Sequence, residues 1–178
     1  MQPTYKPVIL ILLLIIITGC AIKHDYVWKE YPIKPERISS QTSFTEGQGI
    51  RIIKGKSNDA TICLGIGNLG VHAFYGNEQS LTDGIVDQLA KEMRKKGLEI
   101  KNTAEKSLEI TVNHSIFEPG TWKRAAIIDY TVKFGNGKAK FYTVRNSSPG
   151  PVYRIYNGAV ALAVIEIIND QEVLNYIR

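Results

Sequence analysis

The sequence predicts an α+β domain in which two helices cover one face of an antiparallel sheet, in the order β-α-β-β-β-α. Two segments, 107–117 and 122–134, alternate apolar and polar residues with the period of a strand, and a glycine-rich turn leads from the second to a returning strand. Two further segments, 80–97 and 152–178, carry apolar residues at helical spacing. The antiparallel strands and the helices therefore form one sandwich.

The composition fits this class. The 178-residue chain is 44% apolar and 22% charged, which suits one folded domain with a tail and argues against general disorder. Its two cysteines cannot form a disulfide framework and lack the spacing of a zinc site. No run of about 20 apolar residues is present, which argues against a membrane-spanning helix.

The N-terminus resembles a bacterial lipoprotein signal. One cation precedes ten consecutive apolar residues, 8–17. As a helix they would rise about 15 Å, half the thickness of a bilayer's hydrocarbon core, which predicts a signal-peptide core rather than a span. Ile17, Thr18, Gly19 and Cys20 follow the pattern of the lipobox, an aliphatic residue and two small ones before an obligatory cysteine. The resemblance implies cleavage before Cys20 and lipidation of its sulfur; an unlipidated secretory signal is the alternative.

This signal divides the chain into three parts. Residues 1–19 are interpreted as the signal peptide, 20–48 as a lipidated N-terminus and flexible tether rich in Pro, Ser and Gly, and 49–178 as one periplasmic domain. Two or three acyl chains on Cys20 would hold the protein at a membrane. Because Ala rather than Asp follows Cys20, enteric-type sorting favours the periplasmic face of the outer membrane. Three aromatic residues of the tether either sit at the membrane interface or pack on the domain: Tyr26, Trp28 and Tyr31.

The charge of the mature chain is mild. Removing residues 1–19, whose one charged side chain is Lys6, leaves 21 cations and 17 acids, a net charge of +4. The sequence has no basic stripe with interleaved aromatic residues, so we expect no nucleic-acid partner. The densest cluster of cations lies at the end of the first predicted helix. It is interpreted as a solvated helix end, and contact with anionic lipid headgroups is the alternative. The cluster consists of Lys91, Arg94, Lys95 and Lys96.

The first half of the domain combines short strands with a helix. A strand is predicted at 50–54, with weaker extended segments at 61–66 and 71–75. Ser80 and the acidic residue three positions later match a capping box that begins the first helix. Gly97 should end that helix as a C′ glycine before another short strand.

The second half consists of longer elements. Strand 107–117 should bury every second residue: Leu108, Ile110, Val112, His114 and Ile116. Strand 122–134 should bury Ile128 against the helices, where we also expect Met93. The Asn-Gly pair at 136–137 predicts a type I′ turn, with a return strand over 138–144. A buried helix follows from 152 or 157, with a kink at Asn169-Asp170.

These elements together resemble the YajG-type lipoproteins. The resemblance is carried by 85–100 (IVDQLAKEMRKKGLEI), 108–112 (LEITV), the hairpin 125–142 (AAIIDYTVKFGNGKAKFY) and the ending 157–178. More loosely, the layout is similar to the outer-membrane lipoprotein of lipopolysaccharide transport and to the auxiliary lipoproteins of ABC transporters. The resemblance implies no catalytic motif, and Cys20 is the residue to which a role carries over.

Motifs for chemistry are weak. Residues 65–70 spell G-x-G-x-x-G, but a strand rather than a helix should follow, which favours a glycine-rich loop over a dinucleotide site. His24, His72 and His114 lack the spacing of metal ligands, and His114 is interpreted as a core histidine. Cys63, in an apolar stretch, is interpreted as a small buried hydrophobe. We therefore predict no enzyme, no cofactor and no metal site.

Two hypotheses about function remain. The first is a non-enzymatic envelope scaffold or accessory subunit that binds an unidentified envelope protein through a sheet edge or a polar sheet face. That face would carry Glu109, Thr111, Asn113, Lys123, Asp129, Thr131 and Lys133. The second is a carrier of lipid or lipopolysaccharide. A large cavity between the helices and the sheet would favour the carrier, whereas a tightly filled core would favour the scaffold. Such a cavity would be lined by Ile85, Leu89, Ile128, Val160 and Val164.

Overall fold

A computed structural model describes residues 22–39, 44, 48–67 and 72–178. The strands are β1 (Ile22–Asp25), β2 (Gly49–Lys54), β3 (Ile62–Ile66), β4 (His72–Gly76), β5 (Glu99–Ile100), β6 (Ser107–Glu118), β7 (Arg124–Phe134) and β8 (Ala139–Ser148). The helices are α1 (Glu78–Lys95), α2 (Val152–Asn169) and α3 (Gln171–Ile177), and a 3₁₀ turn lies at Pro35–Arg37. The signal and lipobox predictions fall on residues 1–21, outside the described residues.

The fold is α+β, as predicted, with helices packed on sheets. α1 lies over β2 and β6, α2 lies over β7 and β8, and the two helices pack against each other. The side chains between these layers form one apolar cluster, in which Met93 and Ile128 are fully buried as expected. The sheet thus has one covered and one solvent-facing side.

The sheet arrangement differs from the single antiparallel sheet that the sequence predicts. Five strands form one sheet in the order β5-β2-β6-β7-β8, and three form another in the order β1-β4-β3. β2 is parallel to both β5 and β6, because the connection from β2 passes through α1 and returns the chain to the same end of the sheet. The pairs β6–β7 and β7–β8 are antiparallel as predicted.

α1 begins three residues earlier than the capping box predicts. The side chain of Asn77 accepts a hydrogen bond from the backbone N–H of Ser80 (2.8 Å) and another from the Ser80 hydroxyl (2.7 Å). Asn77 is therefore the N-cap, and Ser80 lies inside the first turn. The predicted end is confirmed, since Gly97 follows the last turn with φ +90°, a conformation that glycine adopts without strain.

A β-bulge in β6 overturns the predicted burial of His114. The pairing of β6 with β7 shifts register between Val112 and His114, so the inward positions move by one residue. Ser115 is buried in place of His114, whose side chain is 61% exposed. Ile116 is also turned out to solvent. Alternation alone could not predict this change because the bulge inserts one extra residue.

The β7–β8 turn also differs from its predicted type. The N–H of Gly137 donates to the Phe134 carbonyl (2.9 Å), and the N–H of Phe134 donates to the Lys138 carbonyl (2.8 Å). Gly137 has φ +89°, while Gly135 has an ordinary φ. The connection is therefore a type I turn followed by a left-handed glycine, a three-residue loop rather than a two-residue type I′ turn.

The C-terminal helical segment breaks at Asp170, where the sequence predicts a kink. The Asp170 carboxylate accepts from the N–H groups of Glu172 (2.9 Å) and Val173 (3.1 Å), so it caps α3. Lys140 donates to the other carboxylate oxygen at 2.6 Å. Although partial burial acts to raise the pKa of Asp170, the bonds from Lys140 and Val173 outweigh it and lower that pKa.

α2 is apolar on most of its circumference. Among the described residues it is the one helix long and apolar enough to cross a membrane by length and composition, and 67% of it is buried inside the fold. A helix buried on most sides by its own domain is typical of a core helix. This agrees with the predicted role of the segment as a buried helix against the sheet.

Next to the bulge, a side chain of α1 accepts a hydrogen bond from a backbone N–H of β6. The hydroxyl of Thr82, fully buried, accepts from the N–H of Val112 (2.9 Å) and shares a hydrogen bond with the Ser57 hydroxyl (2.6 Å). We expect Thr82→Val, which keeps the shape and removes the acceptor, to lower the free energy of unfolding by about 1–3 kcal/mol. Urea denaturation followed by circular dichroism measures the change.

The matched control is Thr143→Val, because the Thr143 hydroxyl bonds Asp129 on the exposed side of the sheet. That substitution should change the free energy of unfolding by no more than about 0.5 kcal/mol. Equal stability of Thr82→Val and the wild type would show that the Val112 N–H finds another partner.

Candidate functional site

Residues 22–39, which the sequence assigns to a flexible tether, are part of the folded domain. β1 pairs in parallel with β4, with Ile22 opposite His72 and Asp25 opposite Tyr75. The next residue continues the contact, since the N–H of Tyr26 donates to the Tyr75 carbonyl at 2.6 Å. The tether prediction is therefore wrong for these residues. It failed because the segment lies across two helices and carries no repeating pattern for periodicity to detect.

Tyr26 fixes this segment to α2. Its side chain is buried, its ring centroid lies 6.0 Å from that of Tyr156, and its hydroxyl donates to Asn157 Oδ1 at 2.8 Å. Burial, with a smaller contribution from Tyr156, raises the pKa of Tyr26. Of the two roles left open for the N-terminal aromatic residues, packing on the domain is the one seen for Tyr26 and Trp28.

Further contacts extend along both helices. Trp28 packs directly on Gly84 of α1, where an added Cβ would approach the indole ring to 2.6 Å. The Gln88 amide donates to the Tyr31 carbonyl at 2.7 Å. At the far end, the Asn169 side chain bonds the Ser39 N–H and the Arg37 carbonyl, each at 2.9 Å. The segment is thus held at intervals along its whole described length.

A surface groove opens between this segment and the start of α2. This anchor-side groove, of about 610 Å³, is lined by His24, Asp25, Val27, Lys29, His72, Phe74 and Tyr153. Its wall is aromatic: His24 stacks on Phe74 with ring centroids 4.9 Å apart, and His24 Nε2 lies 2.9 Å from His72 Nδ1. Aromatic and apolar groups beside a lysine suit contact with the headgroup region of a membrane.

The groove begins four residues after the predicted lipidation site. Cys20 is two residues from Ile22, the first residue of β1, and two extended residues span about 7 Å. Val27, on the rim of the groove, is 68% exposed. The sequence signal that could have revealed the groove is the cluster of aromatic and basic residues at 23–34. Interpreting these residues as a flexible tether gave their side chains no defined place on the domain.

The other two candidate residues, Cys63 and His114, do not form a site together. Cys63 is exposed rather than buried, because Leu64 takes the inward position of β3. His114 Nδ1 lies 3.4 Å from the buried carboxylate of Glu78, a pair that sequence spacing could not predict. Within the described ranges, no three His, Cys, Asp or Glu residues are arranged to hold a metal ion.

The glycine motif also lacks the setting of a nucleotide site. Gly65 lies in β3, and β4, which follows the motif, runs antiparallel beside β3. A dinucleotide site needs a helix at this point, with its N-terminus directed at the pyrophosphate. Gly65 instead allows close packing, because an added Cβ there would meet the ring of Phe117 at 2.9 Å. Gly70 lies outside the described residues.

The predicted polar face is present on the solvent-facing side of the five-stranded sheet, with changes. Glu109, Thr111, Asn113, Asp129, Thr131 and Lys133 lie half-buried or exposed on β6 and β7, while Lys123 falls in the loop before β7. Phe141 of β8 adds an aromatic side chain that is 77% exposed. β8 is also the edge of this sheet, with one neighbour, β7, among the described strands.

The fold has relatives among solved structures. Protein XCC0632 from Xanthomonas campestris, described under the family model DUF330, superposes with a TM-score of 0.58 at 12% identity, covering 86% of this chain and 96% of that one. At such low identity the similarity concerns the fold alone. No protein-family model and no curated protein sequence matches the chain.

Two other similarities are weaker. A PelC dodecamer from Paraburkholderia phytofirmans gives a TM-score of 0.38 at 10% identity, covering 68% of this chain and 89% of that one. A putative neuraminyllactose-binding hemagglutinin homolog from Helicobacter pylori gives the same TM-score at 9% identity, covering 83% and 96%. Neither score is high enough to support an argument about function.

The docking of the N-terminal segment can be tested by proteolysis. Tyr26→Ala removes a buried ring and the bond to Asn157, a loss of about 3–5 kcal/mol if the segment stays docked. The segment should then detach, and trypsin should cleave after Lys29 and Arg37 at least about tenfold faster. Mass spectrometry of a limited digest measures the rates.

Val27→Ala is the matched control, since the neighbouring Val27 side chain is largely exposed. It should leave the cleavage rates unchanged. Equal rates for Tyr26→Ala and the wild type would mean that Tyr26 does not hold the segment.

Proposed function

We propose that this protein is a lipid-anchored lipoprotein of the bacterial envelope, attached through Cys20, that acts as a non-enzymatic scaffold or accessory subunit close to the membrane surface. The periplasmic face of the outer membrane is the location that Ala21 favours. The resemblance to YajG-type lipoproteins belongs to the same proposal. The observation that carries most weight is the pairing of β1 with β4, which begins two residues after Cys20.

This pairing changes how the anchor would work. A flexible tether of some 28 residues could reach about 90 Å if fully extended. With β1 paired and Tyr26 buried, an acyl chain on Cys20 would hold the small sheet within about 7 Å of the lipid surface. The anchor-side groove would then face the headgroups, with Lys29 available to their phosphates. The anchor would fix an orientation as well as a location.

The interior favours the scaffold over the lipid carrier. The five residues chosen to distinguish the two hypotheses are all fully buried in one apolar cluster: Ile85, Leu89, Ile128, Val160 and Val164. None of the five lines the anchor-side groove or the cavities at residues 31–37, 101–106 and 134–138. A lipid between helices and sheet would need the helices to separate, which would expose the apolar core to water.

A partner protein has a suitable surface on the far side of the sheet. The face around Lys133 is polar and of mixed charge, Phe141 offers an exposed aromatic contact, and β8 presents an unpaired edge among the described strands. Exposed edges commonly accept a strand from a partner. Because the helices cover the opposite side of this sheet, a partner could bind here without disturbing the core.

The anchor is tested by comparing the two cysteines. Cys20→Ala should abolish labelling by radioactive palmitate and move the protein from the membrane to the soluble fraction, or leave its signal uncleaved. Cys63→Ala, a change at the exposed second cysteine, should keep both the label and the membrane association. An unlabelled wild type that fractionates like Cys20→Ala would contradict lipidation.

The same pair of variants tests the accessory role. Formaldehyde crosslinking of intact cells should give a discrete adduct with one envelope protein for the wild type and Cys63→Ala. The adduct should be lost with Cys20→Ala, because a released subunit no longer shares the membrane surface with its partner. A wild type that remains entirely monomeric after crosslinking would argue against an accessory subunit, even if Cys20 carries lipid.

A further inference from the structure

A second cavity lies between the N-terminal segment, the end of β8 and α2. This basic pocket has a volume of about 300 Å³. One wall is formed by residues 31–34 and Arg37, another by residues 146–148 at the end of β8, and the third by α2 from Arg154 to Ile165. The pocket exists because the N-terminal segment is docked.

The charged residues that line this pocket are all cations. Lys34, Arg37 and Arg154 line it, and no described residue in the lining carries a carboxylate. None of the three cations forms an ion pair within the described part of the chain. Some exposed cations elsewhere do, as Lys54 does with Asp87 and Arg145 with Glu118. Three unneutralised cations around one cavity create a positive potential that attracts an anion.

Polar groups are held in place beside these cations. The Asn146 amide donates to the Ile155 carbonyl at 2.7 Å, which fixes the side chain against α2. This approach requires Gly158, because an added Cβ at that position would lie 2.3 Å from Asn146 Nδ2. Ser147 follows in the lining and brings a hydroxyl group that can also donate. The pocket thus offers neutral donors in addition to the three cations.

The remaining lining is apolar. Ile33 from the N-terminal segment and Leu162 and Ile165 from α2 are half-buried in the pocket wall. Ligand pockets usually measure about 300–1,000 Å³, so this one lies at the lower limit. It has room for a headgroup or a small anion, but not for whole acyl chains. An anion that carries a short apolar portion fits both parts of the lining.

We propose that the basic pocket binds a phosphate group, with the phosphodiester of an anionic lipid headgroup as its main ligand. Guanidinium groups match phosphate oxygens with two parallel hydrogen bonds, and Arg37 and Arg154 supply two such groups. Arg154 directly follows Tyr153, which lines the anchor-side groove, so a headgroup in the adjacent leaflet would be close. Phosphate binding rests on the pocket residues alone, whereas its assignment to a lipid headgroup rests on the proposed membrane attachment.

Calorimetric titration of the full protein in a non-ionic, phosphate-free detergent tests the proposal. The probes are inorganic phosphate and glycerophosphoglycerol, the water-soluble headgroup of phosphatidylglycerol. Both should bind saturably, and the diester should bind more tightly because its glycerol hydroxyls can also accept hydrogen bonds from Asn146 and Ser147. Arg37→Gln and Arg154→Gln should each weaken binding about tenfold. Arg145→Gln, which removes a cation outside the pocket, should leave the affinity unchanged.

The outcomes separate the possible ligands. Tighter binding of the diester assigns the pocket to a lipid headgroup, whereas tighter binding of inorganic phosphate assigns it to free phosphate. The proposal is overturned if neither probe saturates below about 10 mM. It is also overturned if the Arg37 and Arg154 variants bind like the wild type, or if Arg145→Gln weakens binding equally, since that would indicate attraction by net charge alone.

Discussion

The burial of Tyr26 beneath α2 is the contact on which the N-terminal part of the architecture depends. Its ring packs beside Tyr156 and its hydroxyl bonds Asn157, while its backbone extends the pairing of β1 with β4. β1 has four residues and pairs with one neighbour, β4, among the described strands, an arrangement that is marginal without side-chain burial. Tyr26 thus joins the small sheet to the helical layer.

Both surface cavities depend on this arrangement. The anchor-side groove needs Val27 and Lys29 beside Tyr153, and the basic pocket needs Lys34 and Arg37 opposite Arg154. Each is built from the docked segment on one side and the start of α2 on the other. If the segment detached, the three cations of the pocket would separate and the aromatic wall of the groove would open. The proposed membrane orientation and the proposed anion binding therefore depend on the same contact.

The sequence predicted the large elements well and the irregular ones poorly. Alternation located β7 and helical spacing located α1, because their periods persist over many residues. His114 was misplaced because a bulge shifts the register, and Cys63 because an apolar stretch does not show which side chains point inward. The tether prediction failed since residues 26–39 fold against two helices without a repeating pattern. Both cavities combine residues more than 100 positions apart, which no local pattern can reveal.

In the part of the chain that the structure describes, folding begins at Ile22, so that an anchor at Cys20 would hold the domain against the membrane. Hydrogen exchange of the membrane-bound protein, read by mass spectrometry over residues 22–31, tests this most directly. We expect the Tyr26 amide, which donates to the Tyr75 carbonyl, to exchange at least about a hundredfold more slowly than in an unfolded peptide. Exchange at the unfolded rate throughout 22–31, with β6 and β7 protected, would show a free tether and contradict this claim.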